Sequence, residues 1–209
     1  MENVFDWKLG EFIEKAASKS PTPGGGNVSS VVGALGAAMV CMVANLTLGK
    51  KGYEDYQDKV KEIIPKLEGI IEKFKELTLK DMEVFQEVVK AWKMPRETEE
   101  EKKKRAEAIE EATKKATMVP MDMCRACVEA LEIAKDLATY GNKGAISDVG
   151  VGALLLLGAL KGAMFSVDIN LGALKDEEFK KSIEEERAKL LGTAEELAEF
   201  AVVRTKERL

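Results

Sequence analysis

Histidine is absent from the 209 residues. That gap excludes Ser-His-Asp and Cys-His catalysis and every imidazole-ligated metal site. Acid–base chemistry therefore falls to carboxylates, Lys, Tyr or Cys. Cysteine is scarce as well. Cys41, Cys124 and Cys127 form an odd set, and the opening MENVFDWKLG is no secretory leader, so a reducing compartment is expected. Cys124-Arg125-Ala126-Cys127 has C-x-x-C spacing, but a thioredoxin-type site needs a βαβ context and zinc a fourth ligand. Thiols packed on a helix are the simpler reading. Excess positive charge is missing too: 32 basic against 37 acidic residues leave −5, so no basic field awaits nucleic acid. Aromatics are few, at 6%, and with 45% hydrophobic and 33% charged residues the composition is globular. The length suits one substantial domain over residues 1–209.

No segment alternates in the manner of a strand, and the period is helical almost throughout. A first helix is expected from Val4 to Ala17, with Phe5, Leu9, Phe12, Ile13 and Ala16 on one side. The run Ser20-Pro21-Thr22-Pro23-Gly24-Gly25-Gly26 then breaks the chain sharply. From Gly24 to Gly49 there is no charge, a stretch long enough to cross a bilayer. It opens with three glycines and contains Asn27, Ser29, Ser30, Asn45 and Thr47, which favours a buried central helix and no membrane span. Large residues (Val28, Val32, Leu35, Met39, Met42, Leu46) and small ones (Ser29, Gly33, Ala37, Cys41) fall on different faces, suiting two different neighbours. A further helix from about Tyr53 is expected to be kinked or divided at Pro65. Thr98 and Glu101 have capping-box spacing, and another helix is expected to start near Val119-Pro120. Ser147-Asp148 reads as the N-cap and first-turn acid of a second charge-poor helix reaching about Asn170, and Asn142 as a left-handed terminator. The last helix spans about Asp176 to Arg204. The expectation is an all-α, single up-and-down bundle of six to eight helices. Two nearly charge-free helices need more cover than one such bundle supplies, which points to a homodimer. Gly33, Met39 and Asn45 echo Gly158, Met164 and Asn170 at a constant offset, either a repeat or convergent helix packing.

Asp81 is the most informative residue. It stands in line with Phe74, Leu77, Val84, Phe85 and Val88, while Lys73, Glu76, Lys80, Glu83, Glu87 and Lys90 mark the solvent side. A carboxylate on an apolar stripe is either a tuned general acid/base in a cleft or half of a structural ion pair. Gly24-Gly25-Gly26 before a helix permits close approach of an anionic ligand, or simply of a neighbouring helix. Asn45 and Asn170 are polar groups in apolar helices that need hydrogen-bond partners. Lys50-Lys51 complements a helix C-terminus and suits a carboxylate ligand equally.

Pro23-Gly24-Gly25-Gly26, followed by GALGAAMVCMVANLTLGK ending at Lys50, resembles the opening of the formiminotransferase-cyclodeaminase carboxy-terminal family, whose members include free-standing methenyltetrahydrofolate cyclohydrolases. The resemblance continues at Asp81-Met82-Glu83-Val84-Phe85, at Val119-Pro120, at Gly141-Asn142 leading to Ser147-Asp148-Val149, and at Val167-Asp168-Ile169-Asn170-Leu171. It implies an all-helical, homodimeric enzyme acting on a tetrahydrofolate that carries one carbon; no residue grouping suggests a cofactor or a metal, and the cysteine usage suits a cytoplasmic location. In the cyclodeaminase reaction N10 attacks the N5-formimino carbon and ammonia leaves; the cyclohydrolase opens the resulting 5,10-methenyl bridge with water. Deamination is the first expectation, hydrolysis the alternative. By the same resemblance Asp81 is the acid/base, and Gly24, Gly25, Gly26, Lys50, Asn142, Ser147, Asp148 and Asn170 line or shape the substrate site. Two departures stand out: Asn27 where the family commonly has Ser, and Ser166 where it commonly has Asn. No formiminotransferase domain accompanies these motifs, so formimino transfer is not expected. A folate-binding protein without catalysis and an unrelated helical interaction module are the competing readings. Neither gives a reason for a carboxylate at Asp81.

Overall fold

The computed structural model describes residues 3–209, and these form six α-helices joined by short connections. They are α1 (Leu9–Ala16), α2 (Gly25–Thr47), α3 (Gln57–Trp92), α4 (Glu99–Tyr140), α5 (Ile146–Ala173) and α6 (Glu177–Arg208), with 3-10 turns at Val4–Asp6, Glu54–Tyr56 and Lys143–Ala145. No strand occurs among the described residues, and the all-α expectation holds. The charge-free helices α2 and α5 lie against each other at the centre, with α3, α4 and α6 packed around them.

Small residues on α2 allow this close assembly. Gly26, Ser30, Gly33 and Ala37 recur at helical spacing and face inward. A Cβ added at Gly33 would stand 2.6 Å from the ring of Phe74, which is fully buried. Burial of that ring contributes about 2 kcal/mol. Ser30 donates its hydroxyl to the Phe74 carbonyl at 2.8 Å, joining α2 to α3 by a buried bond. A second small row serves α5: a Cβ at Gly36 would meet Leu156 at 2.8 Å, and one at Gly152 would meet the Gly36 carbonyl at the same distance. Gly162 abuts Ser29 and Gly152 abuts Val40, so α2 and α5 run antiparallel.

The large-residue face of α2 behaves differently. Leu35 and Leu46 are exposed, and Val28, Val32, Met39 and Met42 are only partly covered. On α5, Val151, Leu154, Phe165 and Ile169 fall on one outward stripe, Phe165 at 71% and Ile169 at 75% exposure. Both helices have the length and apolarity of a membrane span; here they are the central pair of a bundle with one flank uncovered.

The structure revises several expectations. The first helix is split into the Val4–Asp6 turn and the two-turn α1, which inserts Phe12 beside Val4 and Met82 and leaves Leu9 and Ile13 exposed. Pro65 does not divide α3, which runs on as one helix of 36 residues. Pro65 is exposed, so the carbonyl it leaves unbonded has water available. Pro120 likewise lies within α4, a single helix of 42 residues with a Thr98–Glu101 capping box; burial of Val119, Pro120 and Met121 on the neighbouring helices outweighs the lost bond. Ser147 lies inside the first turn of α5 and is not its cap; Ala145 holds that place without a side-chain bond, and Asn142 caps the preceding 3-10 turn, accepting from the Gly144 N–H at 3.0 Å. Asn142 has φ of −51°, so it is no left-handed terminator. The echo between the two central helices is not one of role: Gly33 is pressed against Phe74, whereas Gly158 has open space beside it. Asn45 is exposed and donates back to the Cys41 carbonyl of its own helix.

Candidate active site

The break before α2 and the middle of α3 meet at one end of the bundle. Asn27, in the first turn of α2, is 1% exposed and fully engaged. Its Oδ1 accepts from the Gly24 N–H at 3.1 Å; its Nδ2 donates to the Thr78 carbonyl at 3.3 Å and to Asp81 Oδ2 at 3.1 Å. Gly26 forms the surface against which the carboxylate rests. A Cβ there would lie 2.8 Å from Asp81 Oδ2 and 3.1 Å from Oδ1, so only glycine admits the carboxylate this closely. The glycine run thus serves Asp81 directly.

Around Asp81 opens a cleft of about 280 Å³, near the lower end of the range for small-molecule sites, ~300 Å³. The loop before α2 supplies Pro21, Thr22 and Gly24, and α3 supplies Asp81, Phe85, Val88 and Trp92. From the opposite wall come Thr113 and Ala116 of α4 and Ser166, Ile169 and Asn170 of α5. Asp81 is the one titratable group among the described residues that line it. Burial raises its carboxyl from an ordinary 3.8 to about 6. Its hydrogen-bond partner, Asn27, is neutral, which leaves the ion-pair reading of Asp81 without a partner among the described residues. A carboxyl that titrates near neutrality beside a water-accessible cleft can accept a proton and return it. Phe85 and Trp92, 39% and 51% exposed, offer flat apolar faces on the same wall.

Gly24, Gly26, Asp81 and Asn170 are brought together, and Gly25 is exposed beside them at the start of α2. Lys50, Asn142, Ser147 and Asp148 are not. Asn142 donates Nδ2 to the Leu46 carbonyl and its N–H to Thr47 Oγ1, which fixes it at the C-terminal end of α2. Lys50 follows that end directly, and Ser147 and Asp148 begin α5 beside it. The two groups are separated by the 23 residues of α2, about 33 Å at ~1.5 Å per residue. Asn27, Phe85, Trp92 and Thr113 were not among the expected site residues. Asn27 was visible as a departure from the family letters, but its bond to Asp81 was not.

The cysteines sit elsewhere, all three buried. Burial pushes Cys124 up to about 12 and Cys127 well above its usual value, so neither is a ready thiolate. Among the described residues no three Cys, Asp or Glu side chains gather in a way that holds a metal ion.

Comparison with known proteins gives a consistent picture. The formiminotransferase-cyclodeaminase family profile matches residues 8–189. Methenyltetrahydrofolate cyclohydrolase from Methylorubrum extorquens is 39% identical over 197 residues, covering 93% of this chain and 95% of that protein. Formimidoyltransferase-cyclodeaminase from Gallus gallus is 33% identical over 188 residues, 90% of this chain but 35% of that protein, so the chain spans about a third of that relative. Among solved structures, formiminotetrahydrofolate cyclodeaminase from Thermotoga maritima superposes with a TM-score of 0.83 at 37% identity, covering 99% of this chain and 97% of that one.

Proposed function

The chain belongs to the formiminotransferase-cyclodeaminase family, and from that membership we propose that Asp81 moves the protons in a reaction at the one-carbon unit of tetrahydrofolate. It is a folate one-carbon enzyme of the cyclodeaminase or cyclohydrolase type. The observation that carries the site assignment is the largely covered carboxyl of Asp81 in the cleft, hydrogen-bonded to the neutral Asn27 amide and with no cation paired to it among the described residues.

Deamination is the first reading. N10 attacks the N5-formimino carbon, the Asp81 carboxylate takes the N10 proton, and the resulting acid returns it to the departing nitrogen, which leaves as ammonia. One carboxyl serves both transfers because its acid and base forms are both populated near neutral pH. The same group suits hydrolysis, taking a proton from water as it adds to the methenyl carbon and giving it to N5 as the bridge opens, while the second water proton passes to solvent as the formyl carbonyl forms. That second reading is favoured by the 39% identity to a cyclohydrolase of matching length. Asn170, Ser166 and Thr113 offer hydrogen bonds to the pterin edge, and Phe85 and Trp92 its apolar contacts. The chemistry asks for no cofactor, and three buried free thiols suit a cytoplasmic location.

The reading includes a homodimer formed through the outward side of α2 and α5, where Leu35, Leu46, Leu154, Phe165 and Ile169 are exposed. A two-fold axis perpendicular to these helices lays one end of each subunit against the opposite end of its partner. Lys50, Asn142, Ser147 and Asp148 of one subunit then complete the cleft that holds Asp81 of the other, with Lys50 placed for a carboxylate of the folate tail.

Purified protein mixed with 5-formiminotetrahydrofolate should generate the methenyl chromophore, with 5,10-methenyltetrahydrofolate run in parallel. Enzyme-dependent appearance establishes the deaminase and accelerated loss the hydrolase. Silence in both refutes the reading.

A further inference from the structure

Asn27 occupies a place where this chain departs from its family, and its side chain joins the glycine turn to the reacting carboxyl. Its amide has one orientation. Because Oδ1 accepts from the Gly24 N–H, Nδ2 must be the atom that faces Asp81. That Nδ2 also donates to the Thr78 carbonyl, so both of its protons are committed. Asp81 Oδ2 is therefore held, and Oδ1 carries no hydrogen bond among the described residues. The carboxylate rests against Gly26, where an added Cβ would lie 2.8 Å from Oδ2 and 3.1 Å from Oδ1.

We infer that Asn27 is a positioning residue that reserves Oδ1 of Asp81 for the proton exchanged with the substrate and holds Oδ2 as an acceptor. The inference rests on the proposed role of Asp81. A neutral amide donor supports the ionised carboxylate without neutralising it, opposing part of the burial that favours the acid. It leaves the net charge of the cleft unchanged, which a Lys or Arg at the same position would not. The loop before α2, α3, α4 and α5 present no other titratable group to the cleft, and the N-terminal segment beside Met82 contributes Val4, Phe5, Trp7 and Phe12. Among the described residues Asn27 is thus the one side chain that hydrogen-bonds the Asp81 carboxyl. A serine at the same place is too short to span both Gly24 and Asp81.

Two variants separate this role from a structural one. Asn27→Asp keeps the acceptor for the Gly24 N–H and the shape of the side chain but sets an oxygen against Asp81 Oδ2. Asn27→Ser shortens the group and restores the letter common in the family. The titration of Asp81 is followed by carboxyl-carbon NMR on Asp-labelled protein, without substrate, and alongside it the pH dependence of kcat/KM. In Asn27→Ser the Asp81 midpoint is expected to rise by about one pH unit, with kcat about tenfold lower at neutral pH and KM little changed. In Asn27→Asp the two carboxyls titrate in separate, coupled steps, the upper one above the wild-type midpoint. An Asp81 midpoint that stays in place in a folded Asn27→Ser protein overturns the inference. So does a loss confined to KM. Turnover that survives Asp81→Asn overturns instead the role of Asp81 itself, so the two failures are told apart.

Discussion

Asp81→Asn is expected to lower turnover at least roughly a hundredfold while making the folded chain more stable at neutral pH. The amide keeps the size of the carboxyl, so the cleft stays filled, but it can neither take nor return a proton. The stability change follows from the raised native value. Asp81 titrates at about 6 in the folded chain against 3.8 ordinarily, so the native state binds this proton more tightly than the unfolded chain. At low pH, below the unfolded value, both states are protonated and the shift costs nothing. Between 3.8 and about 6 the unfolded chain releases this proton while the folded chain keeps it, so the penalty grows across that range and holds its full size above it, on the order of 3 kcal/mol. An amide escapes that penalty. Urea unfolding midpoints should therefore coincide for wild type and variant at about pH 3, separate in favour of the variant as pH rises from about 4 to about 6, and stay apart above that. Midpoints that never separate, with turnover intact, would mean that Asp81 is an ordinary solvated carboxylate.

The second large effect is a recovery of activity. Lys50→Ala and Asp81→Asn proteins should each be nearly inactive alone, because each removes one part of every shared site. Mixed and allowed to exchange subunits, half of the dimers become heterodimers, and each of these holds one site with both wild-type residues. The mixture should regain about one quarter of the wild-type rate. Lys50 is exposed, so its replacement leaves the bundle core untouched. A site built within one chain yields no recovery at any mixing ratio.

The helical character and the position of Asp81 on an apolar stripe were legible because both depend on local period. In α3 apolar residues recur at helical spacing among charged ones, and Asp81 interrupts the apolar stripe. The prolines were misleading for a tertiary reason. Pro65 lies on the solvent side of α3 and Pro120 in the packed part of α4, and the expected breaks ignore what surrounds each residue. The site was legible as a set of letters but not as a place. Family motifs name Asp81 and Lys50 together, yet linear order does not say that α2 holds them at opposite ends. Asn27 was equally hidden, because a bond between residues 54 positions apart depends on the packing of α2 against α3. The stripe of Leu154, Phe165 and Ile169 was recognisable as apolar, and its outward direction emerged only when α2 and α5 were seen to pack through their small residues.

The most direct test of the central claim is kcat/KM against pH for the wild-type protein and for Asp81→Asn, on the folate derivative that it turns over. Both proposed reactions begin with Asp81 as a carboxylate, accepting a proton from N10 or from water. The wild-type value should therefore rise with pH through an inflection near 6, and the residual activity of Asp81→Asn should lack that inflection. The same inflection in the variant would contradict the account, because another group would then be handling the proton.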